Sequence, residues 1–137
     1  MSERDEGPAA TVRAYIDALN RGSAEEAAMY VSDGFVNEHT STLGETIVGR
    51  ENYRRRVGEF LASFPGLHYH VECMIVDGGQ VAVAYRMSAV RRGPSAAASA
   101  DRAFTIRGMF RFEIEEGRIA HRVDYWDSAD YLRQVGD

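Results

Sequence analysis

The sequence predicts an α+β fold in which helices cover one face of an antiparallel sheet. Within the 137-residue chain, residues 8–64 place apolar side chains at helical spacing, whereas residues 68–127 alternate apolar and polar side chains with a period of two. Helices followed by strands that short turns connect are typical of α+β domains. We therefore expect one domain over residues 1–137, with residues 1–7 as a disordered tail.

Three helices are predicted before the strands. The first begins near Pro8, and its apolar residues recur at i, i+3, i+4 and i+7 as Val12, Tyr15, Ile16 and Leu19. Ser23 opens a short second helix, with Glu26 at the spacing of a capping box. The third helix runs over about residues 50–63 and ends at Pro65-Gly66.

The strands follow a short extended arm at residues 35–40 and a loop through Gly44. Residues 68–76, 80–90, 104–114 and a final run to Trp126 are predicted strands, and residues 91–100 a loop. Asp77-Gly78-Gly79 and Glu116-Gly117 provide the positive φ angles that tight hairpins need. A closing helix follows, with Asp127 as its N-cap.

Composition excludes several classes of function. A formal net charge of −5 argues against nucleic acid or an anionic membrane as the partner. The sequence has no apolar run of about 20 residues, no P-loop and no dinucleotide-binding glycine motif, so we expect no membrane span and no cofactor. A single cysteine, Cys73, and a polar N-terminus without signal-peptide character favour the cytoplasm.

Several segments carry a resemblance to a known family: Phe35-Val36-Asn37-Glu38-His39, Phe64-Pro65-Gly66, Gly117-Arg118-Ile119-Ala120 with Asp124-Tyr125-Trp126-Asp127, and Leu132-Arg133-Gln134-Val135-Gly136. Through them the chain resembles the SnoaL-like polyketide cyclase and limonene-epoxide-hydrolase branch of the NTF2-like superfamily. The resemblance implies a cone of three N-terminal helices packed on a strongly curved, mostly antiparallel sheet with a hydrophobic pocket. It also implies a homodimer through the outer sheet face.

The resemblance further implies catalytic residues. Asp124 matches the closing-strand aspartate that acts as an acid/base, and Arg86 matches an arginine of the epoxide hydrolases. Ser88 stands where those hydrolases have a second acid, which argues against epoxide hydrolysis because serine cannot replace a carboxyl group in proton transfer. As an alternative, Asp124 pairs with Arg86 or Arg122 for a structural purpose. His39 is a further candidate proton carrier in an arm that borders the cavity.

Eight further residues are predicted to line the pocket. They are aromatic or polar side chains and one methionine: Tyr15, Tyr30, Asn37, Tyr53, Phe60, Ser88, Met109 and Trp126. No metal site is predicted, because His68, His70 and Glu72 follow one strand face at intervals of roughly 6.6–7 Å, too widely spread for one small ion.

The predicted function is a cofactor-independent enzyme that moves a proton beside a carbonyl group. The substrate is expected to be hydrophobic and ring-bearing, and the reaction an aldol-type cyclisation or an isomerisation. Two alternatives remain open: a non-catalytic small-ligand-binding or interaction module on the same fold, and an epoxide hydrolase-like hydrolase. Because one fold hosts many functions, the choice depends on the site.

Overall fold

The computed structural model describes residues 7–93 and 101–136. Its elements in chain order are α1 (Pro8–Asn20), α2 (Ala24–Met29), β1 (Val31–His39), β2 (Ile47–Val48), α3 (Arg50–Ser63), β3 (His68–Asp77), β4 (Gln80–Arg91), β5 (Arg102–Glu115), β6 (Arg118–Trp126) and α4 (Ser128–Val135). Residues 1–6 of the predicted tail and 94–100 of the predicted loop lie outside the described residues, and Gly7 is the N-cap of α1.

The six strands form one curved, unclosed sheet in the order β2-β1-β6-β5-β4-β3. All neighbouring strands pair antiparallel except β1 and β6, which are parallel. The helices contribute their apolar residues to the same core as the inner faces of β4 and β5. The predicted α+β architecture, with helices packed on a curved, mostly antiparallel sheet, is therefore confirmed. No helix among the described residues is long and apolar enough to cross a membrane.

The turn and cap residues behave as their sequence predicts. Glu116 and Gly117 both have positive φ, 52° and 76°, as the two-residue turn between β5 and β6 requires. Ser23 accepts a hydrogen bond from the Glu26 backbone N–H at 3.1 Å. Asp127 caps α4 by accepting from the backbone N–H groups of the next turn. These local signals fix where the elements begin and end.

The structure differs from the prediction around the first strand. The second helix ends at Met29, and β1 already begins at Val31, four residues before the predicted arm. The short strand β2 was predicted as loop. The early start of β1 follows from its pairing with β6, which begins with Val31 opposite Ile119 and shifts register before Val36. A pairing partner almost ninety positions away leaves no local signal in the sequence.

Candidate active site

A cavity of about 350 Å³ lies between the inner face of the sheet and the helices α3 and α4. Most of its wall is aromatic or aliphatic, with Phe60, Phe64, Phe104, Trp126 and Tyr131 among the contributors. Six polar or charged side chains join them: Asn37, His39, Arg122 and Asp124, and the ion pair of Glu45 with Arg56. An apolar cavity of this size with a few convergent polar groups is the usual form of a small-molecule site.

Asp124 lies on the inner face of β6 and is only 5 % exposed. Its Oδ1 accepts a 2.6 Å hydrogen bond from the Tyr85 hydroxyl. Its backbone carbonyl accepts from the N–H and hydroxyl of Thr40, which ties the end of β1 to β6. Burial raises the pKa of the carboxyl group, and the charge of Arg122 and the bond from Tyr85 oppose that rise only in part.

His39 ends β1 beside this carboxylate. Its Nδ1 lies 3.6 Å from Oδ2 of Asp124 and has no hydrogen-bond partner among the described residues. Burial, and then the positive charge of Arg122, lower the pKa of His39 to about 4. The imidazole is therefore neutral at pH 7, and the contact is not an ion pair.

Gly44 allows the loop after β1 to close over the histidine. A Cβ atom at this position would lie 2.3 Å from Cβ and 2.7 Å from Cγ of His39. Only glycine fits such an approach without moving the neighbouring side chain. The loop therefore holds His39 against Asp124 on the cavity wall.

Arg122 is the second buried charge, 5 % exposed on the same face of β6. Its Nε donates to Oδ1 of Asn37 at 2.7 Å, and its Nη1 donates to the Tyr15 hydroxyl at 3.0 Å. Tyr15 is in turn hydrogen-bonded to Tyr53. Burial lowers the pKa of Arg122, but the neighbouring tyrosines and Asp124 outweigh this and raise it above the usual value. The guanidinium is therefore charged.

The structure brings six of the predicted site residues to the cavity wall: Asn37, His39, Tyr53, Phe60, Asp124 and Trp126. Four predicted pocket residues do not line it, of which two, Tyr15 and Tyr30, belong to the helical part of the chain. Tyr15 is buried behind the cavity against Tyr53, and Tyr30 ends α2, where it packs against the core. Their apolar spacing reflects the packing of α1 and α2, since core aromatics and pocket aromatics follow the same helical period.

The expectation that Arg86, Ser88 and Met109 face the cavity is wrong. Arg86 is exposed and lies 3.7 Å from Glu72, Ser88 is hydrogen-bonded to Thr105 at 3.1 Å, and Met109 is 41 % exposed. Both faces of β4 carry apolar residues, and Arg86 and Ser88 lie on the face with the small side chains Ala82 and Ala84. The opposite face, with Val81, Val83, Tyr85 and Met87, is buried because it removes more apolar area from water.

Sequence reasoning did not assign Tyr69 or Tyr85 to the cavity, and it named Arg122 only as a structural partner of Asp124. A signal for Arg122 was present, since it precedes Asp124 by two positions and a strand places such residues on one face. The resemblance to the epoxide hydrolases instead points to Arg86 and Ser88, which have the same spacing on β4. Tyr85 would have followed from assigning the larger side chains of β4 to the inside.

Structural and sequence comparisons agree on the fold. A candidate polyketide cyclase from Xanthomonas campestris pv. campestris is 18 % identical with a TM-score of 0.83, over 98 % of this chain and 100 % of that chain. A Catenulispora acidiphila protein with a ketosteroid isomerase-like fold, in complex with trimethylamine, is 16 % identical with a TM-score of 0.79, over 92 % of each chain. TerC, co-crystallised with polyporic acid, is 12 % identical with a TM-score of 0.77, over 95 % of this chain and 98 % of that chain.

The family follows from the sequence profile rather than from these distant structures. No curated protein matches the chain. The profile of the SnoaL-like polyketide cyclases, however, matches residues 9–135, which include every element of the fold from α1 to α4 apart from the first residue of α1. The chain therefore belongs to the SnoaL-like polyketide cyclase family.

Proposed function

We propose that this protein is a cofactor-independent enzyme that transfers a proton next to a carbonyl group of a hydrophobic, ring-bearing substrate. One observation carries the proposal: a buried carboxylate, Asp124, lies on the wall of an aromatic cavity of about 350 Å³ and forms no ion pair with a charged partner among the described residues. A carboxyl group whose pKa is raised by burial is a stronger base once ionised.

Asp124 is the proposed acid/base. Its carboxylate takes a proton from the carbon next to the carbonyl, and the electron pair of the broken C–H bond becomes the new C=C bond of an enolate. In an aldol-type cyclisation, the enolate carbon then attacks a second carbonyl carbon of the same molecule. The oxygen of that second carbonyl takes up the proton, which restores the carboxylate. An isomerisation would return the proton to a different carbon.

His39 supports a second proton path. Its neutral imidazole lies against Oδ2 of Asp124, the carboxylate oxygen that accepts no hydrogen bond among the described residues. Oδ1 is already occupied by Tyr85. A neutral histidine can both donate and accept a proton. It therefore suits the exchange of a proton between the carboxyl group and a product oxygen.

The cavity wall supports a ring-bearing ligand. Phe60, Phe64, Tyr69, Phe104 and Trp126 offer aromatic faces and edges, and ring contacts favour stacked or edge-on partners. The structural relatives in complex with trimethylamine and with polyporic acid have the same fold and hold small organic molecules. Small organic ligands of this kind are what we propose for this cavity.

Hydrogen–deuterium exchange tests the proposal without knowledge of the natural substrate. We would incubate the protein with 2-tetralone in D₂O and follow loss of the proton next to the carbonyl by NMR. We expect exchange faster than in protein-free buffer, and a return toward the buffer rate for Asp124→Asn. Saturable binding of such ketones with no exchange above buffer would favour the non-catalytic binding module instead.

A further inference from the structure

Arg122 is a buried charge that contacts no carboxylate within the part of the chain that the structure describes. Among the described residues, no carboxylate oxygen lies within 4.0 Å of a guanidinium nitrogen of Arg122, so the side chain forms no ion pair there. The neighbouring Asp124 instead accepts its hydrogen bond from Tyr85. Removing a guanidinium from water costs several kcal/mol, so a charge placed here without a counter-charge indicates a purpose beyond packing.

The hydrogen bonds of Arg122 leave one arm of the guanidinium available. Nε is held by Asn37 and Nη1 by Tyr15, and the guanidinium carbon lies 4.7 Å from the ring centroid of Phe110. Within residues 7–93 and 101–136, Nη2 makes no hydrogen bond, although arginine carries five N–H donors in a rigid fork. Arg122 is also part of the cavity wall. The fork is thus fixed on one side and open on the other.

Arg122 and Asp124 stand side by side on the cavity wall. They are two positions apart on β6, so their side chains leave the same face of the strand, roughly 6.6–7 Å apart at the backbone. A cation and a base are therefore presented together without neutralising each other in a direct ion pair. This separation is suited to one molecule that offers an oxygen to the arginine and a neighbouring carbon to the aspartate.

We infer that Arg122 is the oxyanion-binding residue of the cavity. Its Nη2 N–H groups donate hydrogen bonds to the ligand oxygen on which negative charge develops. The inference rests on the proposed proton transfer at Asp124 and names its electrophilic partner. When the C–H proton moves to Asp124, the C=O electron pair moves to the carbonyl oxygen, and the guanidinium meets that charge. The ligand class is one with an anionic or readily enolised oxygen, such as a 1,3-dicarbonyl, a phenol or an arylcarboxylate.

Asn37 and Tyr15 are positioning residues in this arrangement. Each accepts a hydrogen bond from one nitrogen of the guanidinium. Together they fix the plane of the guanidinium and so the direction of Nη2. A charge-assisted hydrogen bond from such a fixed donor is stronger than one between neutral groups. Because the donor needs little reorganisation when charge develops, it favours the charged form of the ligand over the neutral one.

Binding of two matched probes tests the inference. In Asp124→Asn, which removes the repelling carboxylate, we would compare the dissociation constants of 2-naphthoate, an anion at pH 7, and 2-acetylnaphthalene, a neutral ketone of similar shape. We expect 2-naphthoate to bind tighter by about tenfold or more, the worth of a charge-assisted hydrogen bond. Addition of Arg122→Met should abolish this preference. Addition of Arg86→Met, which removes an outer-face arginine, should leave it unchanged.

Equal affinity for the two probes in Asp124→Asn, or weak binding of both, would overturn the inference, as would a preference that survives Arg122→Met. Should Arg122→Met not fold, NMR of arginine side chains in Asp124→Asn decides the matter. Arg122 is the one buried arginine among the described residues. We expect its slowly exchanging N–H signals to shift with 2-naphthoate and to stay in place with 2-acetylnaphthalene, and unmoved signals with bound 2-naphthoate would refute the assignment.

These binding experiments separate the inference from the proposed function, because no turnover is measured. Failure of deuterium exchange with an intact preference for 2-naphthoate would remove the acid/base role of Asp124 and keep Arg122 as an anion-binding residue. Deuterium exchange that depends on Asp124, with no preference for 2-naphthoate, would keep the acid/base role of Asp124 and refute Arg122 as the anion-binding residue.

Discussion

The Tyr85 hydroxyl reaches across strand β5 to donate a 2.6 Å hydrogen bond to Oδ1 of Asp124 on β6. The crossing is possible because the residue paired with Tyr85 on β5 is Gly108. A Cβ atom on Gly108 would lie 2.4 Å from the tyrosine hydroxyl oxygen and 2.7 Å from the backbone oxygen of Tyr125. The absence of a side chain at Gly108 on β5 therefore allows Tyr85 and Asp124, which are 39 positions apart, to form a hydrogen bond.

Replacing this glycine should break the connection. We expect Gly108→Ala to destabilise the protein by about 1–3 kcal/mol, the usual cost of forcing extra volume into a packed core. The pKa of Asp124 should rise further, because the hydrogen bond from Tyr85 lowers it. Urea denaturation measures the first effect and an NMR titration the second.

Gly58→Ala is the matched control for that substitution. A Cβ atom at Gly58 on α3 would meet Cβ of Ala24 on α2 at 3.6 Å, an ordinary van der Waals contact between the two helices. We expect unchanged or slightly higher stability there. If Gly108→Ala is as stable as the wild type, the close approach described here is not a constraint on the fold.

The acid/base role of Asp124 predicts a separation of activity from folding. Asp124→Asn is nearly isosteric, and its side-chain oxygen can still accept the bond from Tyr85. The exchange rate of 2-tetralone should fall by about 10²–10⁴-fold, the usual contribution of a positioned acid/base group, with the variant still folded by circular dichroism. A lower melting temperature with an unchanged rate per folded molecule would assign Asp124 a structural role instead.

The raised pKa of Asp124 predicts how stability depends on pH. Below 3.8, the usual carboxyl pKa, the group is protonated in both states. As pH rises from there through the pKa in the folded protein, the unfolded chain loses its proton first, so ionisation favours unfolding. Over this range, the free energy of unfolding of the wild type should therefore fall relative to that of Asp124→Asn. A difference between the two proteins that stays constant from pH 3 to pH 8 would contradict the burial argument.

His39 predicts a pH dependence at the acid side of neutrality. Its pKa of about 4 in the folded protein is below the ordinary 6.5, so between these values the unfolded chain binds a proton that the folded protein excludes. As pH falls from 6.5 toward 4, the wild type should lose up to about 1.4 kcal/mol per pH unit relative to His39→Gln. His68→Gln, at an exposed position on β3, is the control and should follow the wild type. Parallel stability curves for all three proteins would show that His39 is not buried as described.

The outer sheet face predicts assembly into a homodimer. Ala84, Met109 and Tyr125 stand in register across β4, β5 and β6, and the last two are each 41 % exposed. We expect two copies to stack through this apolar row, since a two-fold axis lets one patch serve both partners. Light scattering should show a dimer that Met109→Asp dissociates, whereas Met29→Asp, at a methionine on α2 that is 59 % exposed, should not. A monomer mass for the wild type at tens of micromolar would rule out this interface.

The sequence by itself determined most of the elements of this protein, although not β2 or the start of β1. Helical spacing identified α1 and α3, period-two alternation identified β4 and β5, and glycine turns identified the hairpins, because each of these signals is local to a few residues. The resemblance carried by the closing motif directed attention to Asp124, which does lie on the cavity wall.

Tertiary structure alone decided which arginine joins that aspartate. Alternation with a period of two divides the residues of a strand between two faces but does not show which face is buried. An arginine is expected on the exposed face because burying its charge is costly. Arg122 is inside because Tyr15 and Asn37, 107 and 85 positions away, supply the hydrogen bonds that offset its lost hydration. Partners that far apart meet only when α1, β1 and β6 pack together, so the outward position of Arg86 and the inward position of Arg122 are properties of the folded chain.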